Sequence, residues 1–486
     1  MTNITTGTGR SRRRAAAVLA CLGLGAVVVL PSGAAAQTVQ TWQAASTCAE
    51  PKPGGEPQAL KPTTISTIEQ AYSCILTNYY GADTLDNRQL LIGAFAGLTR
   101  ELHASGHDVA DATLPALTGK RDSDWEAFSA VYTRVNDQLS GATERQAAAA
   151  ATLLGMLGSL HNNHAHWDRT QMPEDPQPGT EYGIGLDTAP FKGPIFSEPD
   201  QVTGPMYVSR VRGGSAAKAG LRPGDIIESV NGAVPFAGGV LSLGAVVPLF
   251  QNYPDDDPVR IKVRRPANGR TWTATLTPGV YKPDEKATAR VTSKLLKGDV
   301  AYVRLASFGQ RVAQTAIDAI NDMKKNKKLT GVVLDMRGNS GGLIGEVNRL
   351  LGAFAHDQVT AWQCDADDRC TADRTDDSVP LLGLPLTVLA DRDCASACDH
   401  FVAAIKDNKI APVVGTRTAG VVAGAGKMYL LDDNSLLSFP DKRTLGPKKE
   451  PINGIGVAAD HLVPLTAKDI STGKDPGLDK ALDLLK

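Results

Sequence analysis

The chain lacks an excess of charge of either sign. Its 486 residues carry 51 Lys and Arg against 52 Asp and Glu, for a formal net charge of −1 at pH 7. Nucleic-acid-binding proteins concentrate basic residues on one face or along one helix, whereas here these residues are spread along the chain. The sequence therefore predicts no nucleic-acid partner, and its length is typical of about three domains.

The chain also lacks a long apolar run after its first 36 residues, so no later segment is predicted to span a membrane. The first 36 residues have the parts of a secretion signal: a basic run at 10–14, an apolar run at 15–30 and small residues at 34–36. The sequence therefore predicts a secreted or extracytoplasmic protein. A lipoprotein signal at Cys21 is the less favoured alternative, and either general or twin-arginine export remains open.

Paired Cys-x-x-Cys elements are missing as well, which argues against a zinc site. Of the seven cysteines, one lies in the predicted signal, and an even number remains, as is typical of disulfides in an exported chain. A buried pair of free thiols is the alternative for the last two cysteines, which are only four residues apart. Proximity along the chain proposes the pairs Cys48–Cys74, Cys364–Cys370 and Cys394–Cys398.

Apolar and turn-forming residues divide the chain into segments. Residues 90–98 and similar runs near them are too long for typical strands and indicate helices. Later in the chain, strand-like and helix-like runs alternate, which is typical of an α/β sheet with crossover helices. A mixed multidomain α/β fold is therefore predicted. Its segments are the signal at 1–36, an extended lead-in at 37–62, a helical domain at 63–170, a linker at 171–180, a β-rich domain at 181–278 and an α/β core at 280–486.

One serine in the predicted core occupies a position that suits a nucleophile. An apolar strand-like run at 384–390 precedes Ser396, and a helical run at 401–405 follows it. A serine at such a turn projects its hydroxyl above the sheet edge, and the first N–H groups of the helix face any negative charge that forms there. For an isolated serine the alternative is a simple helix cap.

Residues 181–278 resemble a PDZ domain. The resemblance rests on the glycine-bracketed segment Tyr182-Gly183-Ile184-Gly185-Leu186, a strand-like run at 207–211 and a Gly-Leu-x-x-Gly-Asp turn at 220–225. Because PDZ domains bind a peptide C-terminus as an added strand, it implies that residues 182–186 bind the substrate and that their N–H groups hold its carboxylate. A PDZ-like spacer that binds no peptide is the alternative.

The order of these segments, with Leu-Asp-Met-Arg-Gly-Asn-Ser-Gly-Gly at 334–342 and Ser-Ala-Cys-Asp at 396–399, resembles the C-terminal processing, or tail-specific, serine peptidases. The resemblance implies that Ser396 is the nucleophile. It also implies an oxyanion hole with one backbone donor from Gly341 or Gly342 and a second from Ala397. A tight turn without such a role is the alternative for the two glycines.

The general base is implied by the branch of that family that the chain resembles. The best-known branch uses a lysine, and here Val421 stands in its place. The tricorn-like branch uses a histidine before the PDZ region, and His164 matches it, with Asn162 where Asp is usual. Asn453 replaces that branch's glutamate and is expected to orient the imidazole. Structural histidines or a metal cluster at 161–166 are the alternatives, and His400 is expected to be packed or to face solvent.

The predicted function is that of a secreted serine endopeptidase. Cleavage would pass through an acyl-enzyme, with no cofactor or metal, on protein or peptide substrates whose free C-terminus the PDZ domain binds. The alternative is a catalytically inactive relative that binds a peptide or another ligand. The missing lysine and the replacement of the glutamate by Asn453 motivate that alternative.

Overall fold

The structure, a computed structural model, describes residues 48–52, 58–169, 179–192, 202–250, 257–424 and 426–486. The predicted signal at 1–36 and most of the predicted linker lie outside the described residues. Within the described ranges, no helix has both the length and the apolar character needed to cross a membrane.

The helices are α1 (Ile65–Asn78), α2 (Asn87–Ser105), α3 (Arg121–Gln138), α4 (Ala142–Gly158), α5 (Gly214–Lys218), α6 (Leu243–Val246), α7 (Glu285–Thr288), α8 (Val312–Asn326), α9 (Ile344–Gly352), α10 (Ala397–Asp407), α11 (Ala467–Thr472) and α12 (Pro476–Asp483). A short 3-10 helix, Val247–Leu249, follows α6.

The first strands are β1 (His166–Asp168), β2 (Glu181–Gly183), β3 (Leu186–Lys192), β4 (Thr203–Val211), β5 (Ile226–Val230), β6 (Phe236–Ala237), β7 (Val240–Leu241), β8 (Val259–Arg264), β9 (Thr271–Leu276), β10 (Gly279–Tyr281) and β11 (Val291–Leu296). The remaining strands are β12 (Val300–Leu305), β13 (Gly331–Asp335), β14 (Val359–Cys364), β15 (Cys370–Arg374), β16 (Leu386–Ala390), β17 (Val413–Gly415), β18 (Gly426–Leu430), β19 (Leu436–Pro440), β20 (Arg443–Leu445) and β21 (His461–Leu462).

Helices α1 to α4 pack around one apolar core, because each buries one apolar stripe. Two of them, α2 and α4, approach closely through glycines that face each other. A Cβ atom at Gly97 would lie 2.1 Å from the carbonyl oxygen of Ala151, and one at Gly155 would lie 2.3 Å from that of Gly93. Only residues without a side chain allow the two backbones to come this close.

A five-stranded antiparallel sheet follows in the chain, with the strand order β3-β4-β5-β8-β9. Its apolar face is covered by α5 and α6, and its core contains the fully buried Met206, Val208, Ile261 and Val263. Strand β3 lies at one edge of this sheet. Among the described residues, no strand pairs with the outer side of β3, so a further strand has space to add there.

The last large unit is a six-stranded sheet with the order β11-β12-β13-β16-β17-β21. All its neighbouring strands are parallel except β11 and β12, and helices α8, α9 and α10 form the crossovers. Strands β13 and β16 are buried along their whole length, as expected of central parallel strands. The predicted mixed α/β fold is confirmed, and the carboxyl ends of β13 and β16 lie side by side.

A small sheet joins the segment after α4 to the C-terminal part of the chain. Strand β1 pairs antiparallel with β19, and β19 pairs with β18. Tyr429, Leu437 and Phe439 of this sheet contribute to the core of the helical segment. The pairing therefore fixes residues 161–166, just before β1, against the C-terminal part of the chain.

The three disulfides predicted from proximity are present. The first, Cys48–Cys74, ties the lead-in to α1, and the second, Cys364–Cys370, joins β14 to β15. The third, Cys394–Cys398, spans the turn between β16 and α10. The alternative of free thiols at Cys394 and Cys398 is therefore wrong.

The close approach of α2 and α4 makes Gly97 sensitive to a single methyl group. Gly97→Ala is expected to lower the free energy of unfolding by about 2 kcal/mol, because the helices must move apart to admit the Cβ. Gly158→Ala on α4 is the matched control, since a Cβ there has no atom within 4 Å and should be neutral or slightly stabilising. Equal urea midpoints for the two variants would contradict the packing argument.

Candidate active site

Ser396 lies at the turn between β16 and α10 and is half-buried. Its backbone has φ 58° and ψ −118°, a region that residues with a side chain rarely adopt and that costs on the order of 1–3 kcal/mol. Although Ser396 is the N-cap of α10, its side chain makes no capping hydrogen bond to that helix. The hydroxyl is therefore not engaged as a helix cap. The surrounding structure imposes the strained backbone conformation.

The glycine-rich loop after β13 packs directly against this turn. A Cβ at Gly341 would lie 2.7 Å from the Cβ of Ser396 and 2.9 Å from the nitrogen of Ala397. The Gly341 N–H donates to the Asn339 side-chain oxygen at 2.9 Å, so it is already engaged. Gly341 therefore serves the close approach of the loop to the turn.

Ala397 is the first residue of α10, so its N–H group has no acceptor within the helix. It lies beside Ser396 and against the glycine loop. Its N–H group is therefore a candidate donor to a negative charge that develops at this turn.

Asp399 is a site residue that the sequence analysis missed. Its fully buried carboxylate accepts hydrogen bonds from the Thr418 hydroxyl, from the Gly420 N–H at 2.9 Å and from the Val421 N–H at 3.2 Å. Burial raises the pKa of Asp399 to about 6. The carboxylate binds the helix that follows Ser396 to the 418–421 segment. Its spacing, three residues after an N-cap serine, is the sequence signal of a capping box.

His164 is half-buried and is held by the two asparagines that precede it. Asn162 accepts the backbone N–H of His164 at 2.9 Å, and the side-chain oxygen of Asn163 lies 2.8 Å from Nδ1 of the ring. Burial first, and then the neighbouring His166, lower the pKa of His164 to about 4. The imidazole is therefore neutral at neutral pH.

Asn453 contacts the imidazole only through Asn163. The side-chain oxygen of Asn453 accepts the backbone N–H of Val422 at 3.0 Å and the amide of Asn163 at 3.3 Å. The orienting role expected of Asn453 would therefore act through Asn163, which stands between Asn453 and the imidazole. Sequence analysis missed Asn163 because an asparagine beside a histidine has no recognisable pattern.

This series of hydrogen bonds also fixes the tautomer of the histidine. The Val422 N–H can only donate, so the oxygen of Asn453 must face it. Asn163 must then present its NH2 group to that oxygen and its own oxygen to the ring. Nδ1 of His164 consequently carries the proton, and Nε2 has the free lone pair that a general base requires.

The same contacts connect the two parts of the candidate site. His164, Asn163 and Asn453 lead to Val422, and the neighbouring Val421 is bound by Asp399 on α10. Among the described residues, no hydrogen bond joins His164 to the hydroxyl of Ser396. Bonds between a base and its nucleophile often tighten only when substrate binds.

His400 is fully buried on α10, so of the two expected environments it has the packed one. Neither ring nitrogen has a hydrogen-bond partner among the described residues. Burial lowers the pKa of His400 to about 4. A neutral, unpaired imidazole in the core reduces stability and makes it dependent on pH.

The segment proposed to bind a peptide carboxylate has a fixed backbone. Ile184 and Leu186 are buried, and the carbonyl oxygens of Ile184 and Gly185 accept the N–H groups of Ala216 and Arg212 at 3.0 and 2.8 Å. The preceding β2, which includes Tyr182 and Gly183, pairs with β10. The segment therefore leads from a paired strand directly into the free edge strand β3.

The sheet that contains β3 also lies close to the serine turn. Arg210 on β4 forms a 2.9 Å ion pair with Asp187 on β3, and its charge also acts on Asp393, three residues before Ser396. Asp391 in the same turn accepts the N–H groups of Gly338 and Asp393 at 3.0 and 3.1 Å. Burial, followed by the Asp393 charge, raises the pKa of Asp391 to about 7.

No group of three or more His, Cys, Asp or Glu side chains among the described residues has a geometry suited to a metal ion. The three histidines at 161–166, considered from the sequence as a possible metal cluster, do not form such a group.

Comparison with known proteins identifies two regions of the chain. Residues 299–463 match peptidase family S41, and residues 207–265 match the PDZ domain. The predicted resemblance to C-terminal processing peptidases and the predicted PDZ domain are thereby confirmed.

Several curated relatives are similar to most of the chain. The chloroplastic carboxyl-terminal-processing peptidase 2 of Arabidopsis thaliana is 28% identical over 291 residues, which are 59% of this chain and 54% of that protein. The carboxy-terminal processing protease CtpA of Bacillus subtilis (strain 168) is 23% identical over 370 residues, or 76% of this chain and 74% of that protein. The chain thus spans about half the length of the first relative and about three quarters of the second.

Solved structures share the fold. The photosystem II D1 C-terminal processing protease aligns with a TM-score of 0.50 and 23% identity, covering 76% of this chain and 93% of that one. Mature CPAF complexed with lactacystin aligns with a TM-score of 0.52 and 13% identity, covering 87% and 97%. At these identities the likeness extends to the fold alone.

The unpaired His400 leads to a prediction about acid stability. Its folded-state pKa of about 4 lies below the ordinary 6.5, so the unfolded chain binds more protons between these values and stability falls as pH decreases through that window. His400→Leu should raise the free energy of unfolding by about 1–3 kcal/mol at pH 7. It should also remove roughly 3 kcal/mol of acid sensitivity between pH 7 and 4.

Chemical denaturation at several pH values measures both effects. His103→Leu, at a histidine whose side chain is 85% exposed, is the control and should leave the pH dependence unchanged. A His400→Leu variant with the pH dependence of the parent would contradict the assignment of a buried neutral imidazole.

Proposed function

We propose that the chain is a secreted serine endopeptidase that acts on protein or peptide substrates with a free C-terminus, because residues 299–463 match peptidase family S41 and residues 207–265 match the PDZ domain. The observation that carries the proposal is the series of hydrogen bonds from Val422 through Asn453 and Asn163 to His164. These contacts would keep the proton of His164 on Nδ1 and leave Nε2 free to accept a proton as a general base. The residue at position 421 is valine, so no lysine is present there for that role.

Ser396 is proposed as the nucleophile. Its side chain has no capping bond, the N–H of the next residue, Ala397, has no acceptor within the helix, and the glycine loop lies against it. Nε2 of His164 would take the hydroxyl proton as the serine oxygen attacks the substrate carbonyl. The N–H groups of Gly342 and Ala397 would bind the oxyanion, and each such donor is worth on the order of 3 kcal/mol.

The proton would then pass from His164 to the departing amine as the C–N bond breaks, which leaves an acyl-enzyme on Ser396. A water molecule would then give a proton to His164 as its oxygen attacks the acyl carbonyl. That proton would pass to the Ser396 oxygen as the acyl C–O bond breaks, which releases the product with its new carboxyl group and restores the serine. Asn163 would hold the Nδ1 proton throughout both halves of the reaction. Its amide dipole stabilises the imidazolium less than a carboxylate does, consistent with the lowered pKa of His164.

The PDZ domain is proposed to hold the C-terminal strand of the substrate. The free edge of β3 and the fixed backbone of residues 184–186 support strand addition with the terminal carboxylate at Gly185 and its neighbours. The charge of Arg210 on β4 acts on Asp393, three residues before Ser396, which supports a position of this sheet close to the serine turn. Secretion is supported by the three disulfides, which persist in oxidising compartments.

The role of Ser396 gives the first test. Ser396→Ala should abolish peptide hydrolysis and labelling by a fluorophosphonate probe, because both reactions need the serine oxygen, while binding of a peptide with a free C-terminus stays within about twofold. Hydrolysis is measured with a fluorogenic peptide and labelling by intact-protein mass. Ser293→Ala, at an exposed serine of β11, is the control. Unlabelled parent protein without hydrolysis would instead support the non-catalytic, ligand-binding alternative.

The role of Asn163 gives a test in the pH profile. With a pKa of about 4 for His164, kcat/KM should stay flat down to about pH 5 and fall as the pH decreases through about 4. Asn163→Asp loses the 3.3 Å bond to Asn453 but places a carboxylate on Nδ1, which raises the pKa of His164. The acid limb should therefore move to higher pH by about one unit or more. An acid limb that stays in place would exclude Asn163 as the partner of the base.

A further inference from the structure

The disulfide Cys394–Cys398 encloses the residues that carry the proposed chemistry. Its ring contains Ala395, Ser396 and Ala397, so the nucleophile and one oxyanion donor lie inside the same covalent loop. We propose that this disulfide positions Ser396 and the Ala397 N–H relative to each other and that turnover depends on it. The inference rests on the proposed function, in which Ser396 is the nucleophile.

The backbone inside the loop needs external support. Ser396 has a positive φ of 58° without being glycine, so the isolated turn would relax to a commoner conformation. The chain enters the turn through Cys394, two residues before Ser396, and leaves it through Cys398, two residues after. A covalent bond between these two positions limits the relaxation, because it fixes the ends of the turn on either side of the strained residue.

The bond is anchored in the main core. Both cysteines are fully buried within the apolar cluster that contains Met336 and Phe401. The sulfur of Cys398 lies 3.8 Å from the carbonyl oxygen of Met336, at the end of β13. The disulfide therefore holds the turn against the two central strands of the sheet rather than against a surface loop.

Hydrogen bonds also support the turn. One lies inside it, from the Cys398 N–H to the carbonyl oxygen of Ala395 at 2.9 Å, and others come from separate loops. The Ala395 N–H donates to the carbonyl oxygen of Asn339 at 3.0 Å, and the Ala419 N–H donates to that of Cys394 at 2.9 Å. Each of these two bonds depends on a loop outside the turn, 339–342 or 418–421. The disulfide is the covalent support that lies entirely within the turn. It can therefore keep the geometry of the serine when those loops adjust to a substrate.

The test compares two disulfides of similar loop length. The variant Cys394→Ala/Cys398→Ala removes the disulfide at the serine turn, which has a sequence separation of 4. The control variant Cys364→Ala/Cys370→Ala removes the disulfide between β14 and β15, which has a sequence separation of 6. The first variant should lose at least tenfold in kcat and in the rate of fluorophosphonate labelling, with KM within about twofold. The control should retain both rates within about twofold. A purely structural role would instead reduce activity in proportion to the unfolded fraction in both variants.

Hydrogen exchange provides a readout that does not need activity. In the first variant, amides 395–400 should exchange at least tenfold faster, while those of β12 and β13 stay protected. A parent protein without hydrolytic activity would contradict the proposed function. The exchange rates of amides 395–400 would still test whether the disulfide positions the turn. Unchanged exchange at 395–400, or an unchanged kcat in an active protein, would overturn the positioning proposal.

A variant with restored volume covers the case of misfolding. Cys394→Ala/Cys398→Val refills part of the buried space and should show the same selective loss of kcat. If neither variant folds while the control does, the disulfide is a requirement of the fold and the positioning proposal is rejected.

Discussion

The strained turn at Ser396 is the constraint on which the candidate site depends. A positive φ at a residue with a side chain persists only when its surroundings impose it. Here Gly341 packs against the serine, Asp399 binds the following helix to residues 418–421, and a disulfide closes the turn. The strain is offset by the core, because the turn joins two elements, β16 and α10, that are buried almost completely.

The histidine side of the site is built on amides instead of carboxylates. A backbone N–H of Val422 sets the orientation of Asn453, and that sets the orientation of Asn163 and the tautomer of His164. A series of amide side chains fixes the orientation and tautomer of the imidazole as well as a carboxylate would, but it adds no negative charge. Burial can therefore lower the pKa of the imidazole without opposition, and the base stays neutral over a wider range of pH.

The parts of this site that could be predicted from the sequence are those set by local patterns. The strand-to-helix turn and the cysteine pairs follow from spacing along the chain, whereas the glycine pair follows from the family resemblance. The structure has the turn and the disulfides. The partner of His164 could not be predicted, because it depends on which amide comes to lie between residues 164 and 453, which are far apart in sequence. The bond from the Gly341 N–H to the Asn339 side chain is, in contrast, a local contact of the Asx-turn type between residues two apart.

The orientation of His164 by amides and the rigidity of the turn at Ser396 are physically related. A base without a carboxylate partner stabilises its protonated form weakly, so more of the transition-state stabilisation must come from the oxyanion side. Fixed N–H donors contribute most when they need no reorganisation, and that requires a rigid turn at Ser396 and Ala397. The covalent loop at 394–398 and the buried Asp399 provide this rigidity on the nucleophile helix. A rigid serine turn therefore compensates for the weaker stabilisation of the imidazolium by amides.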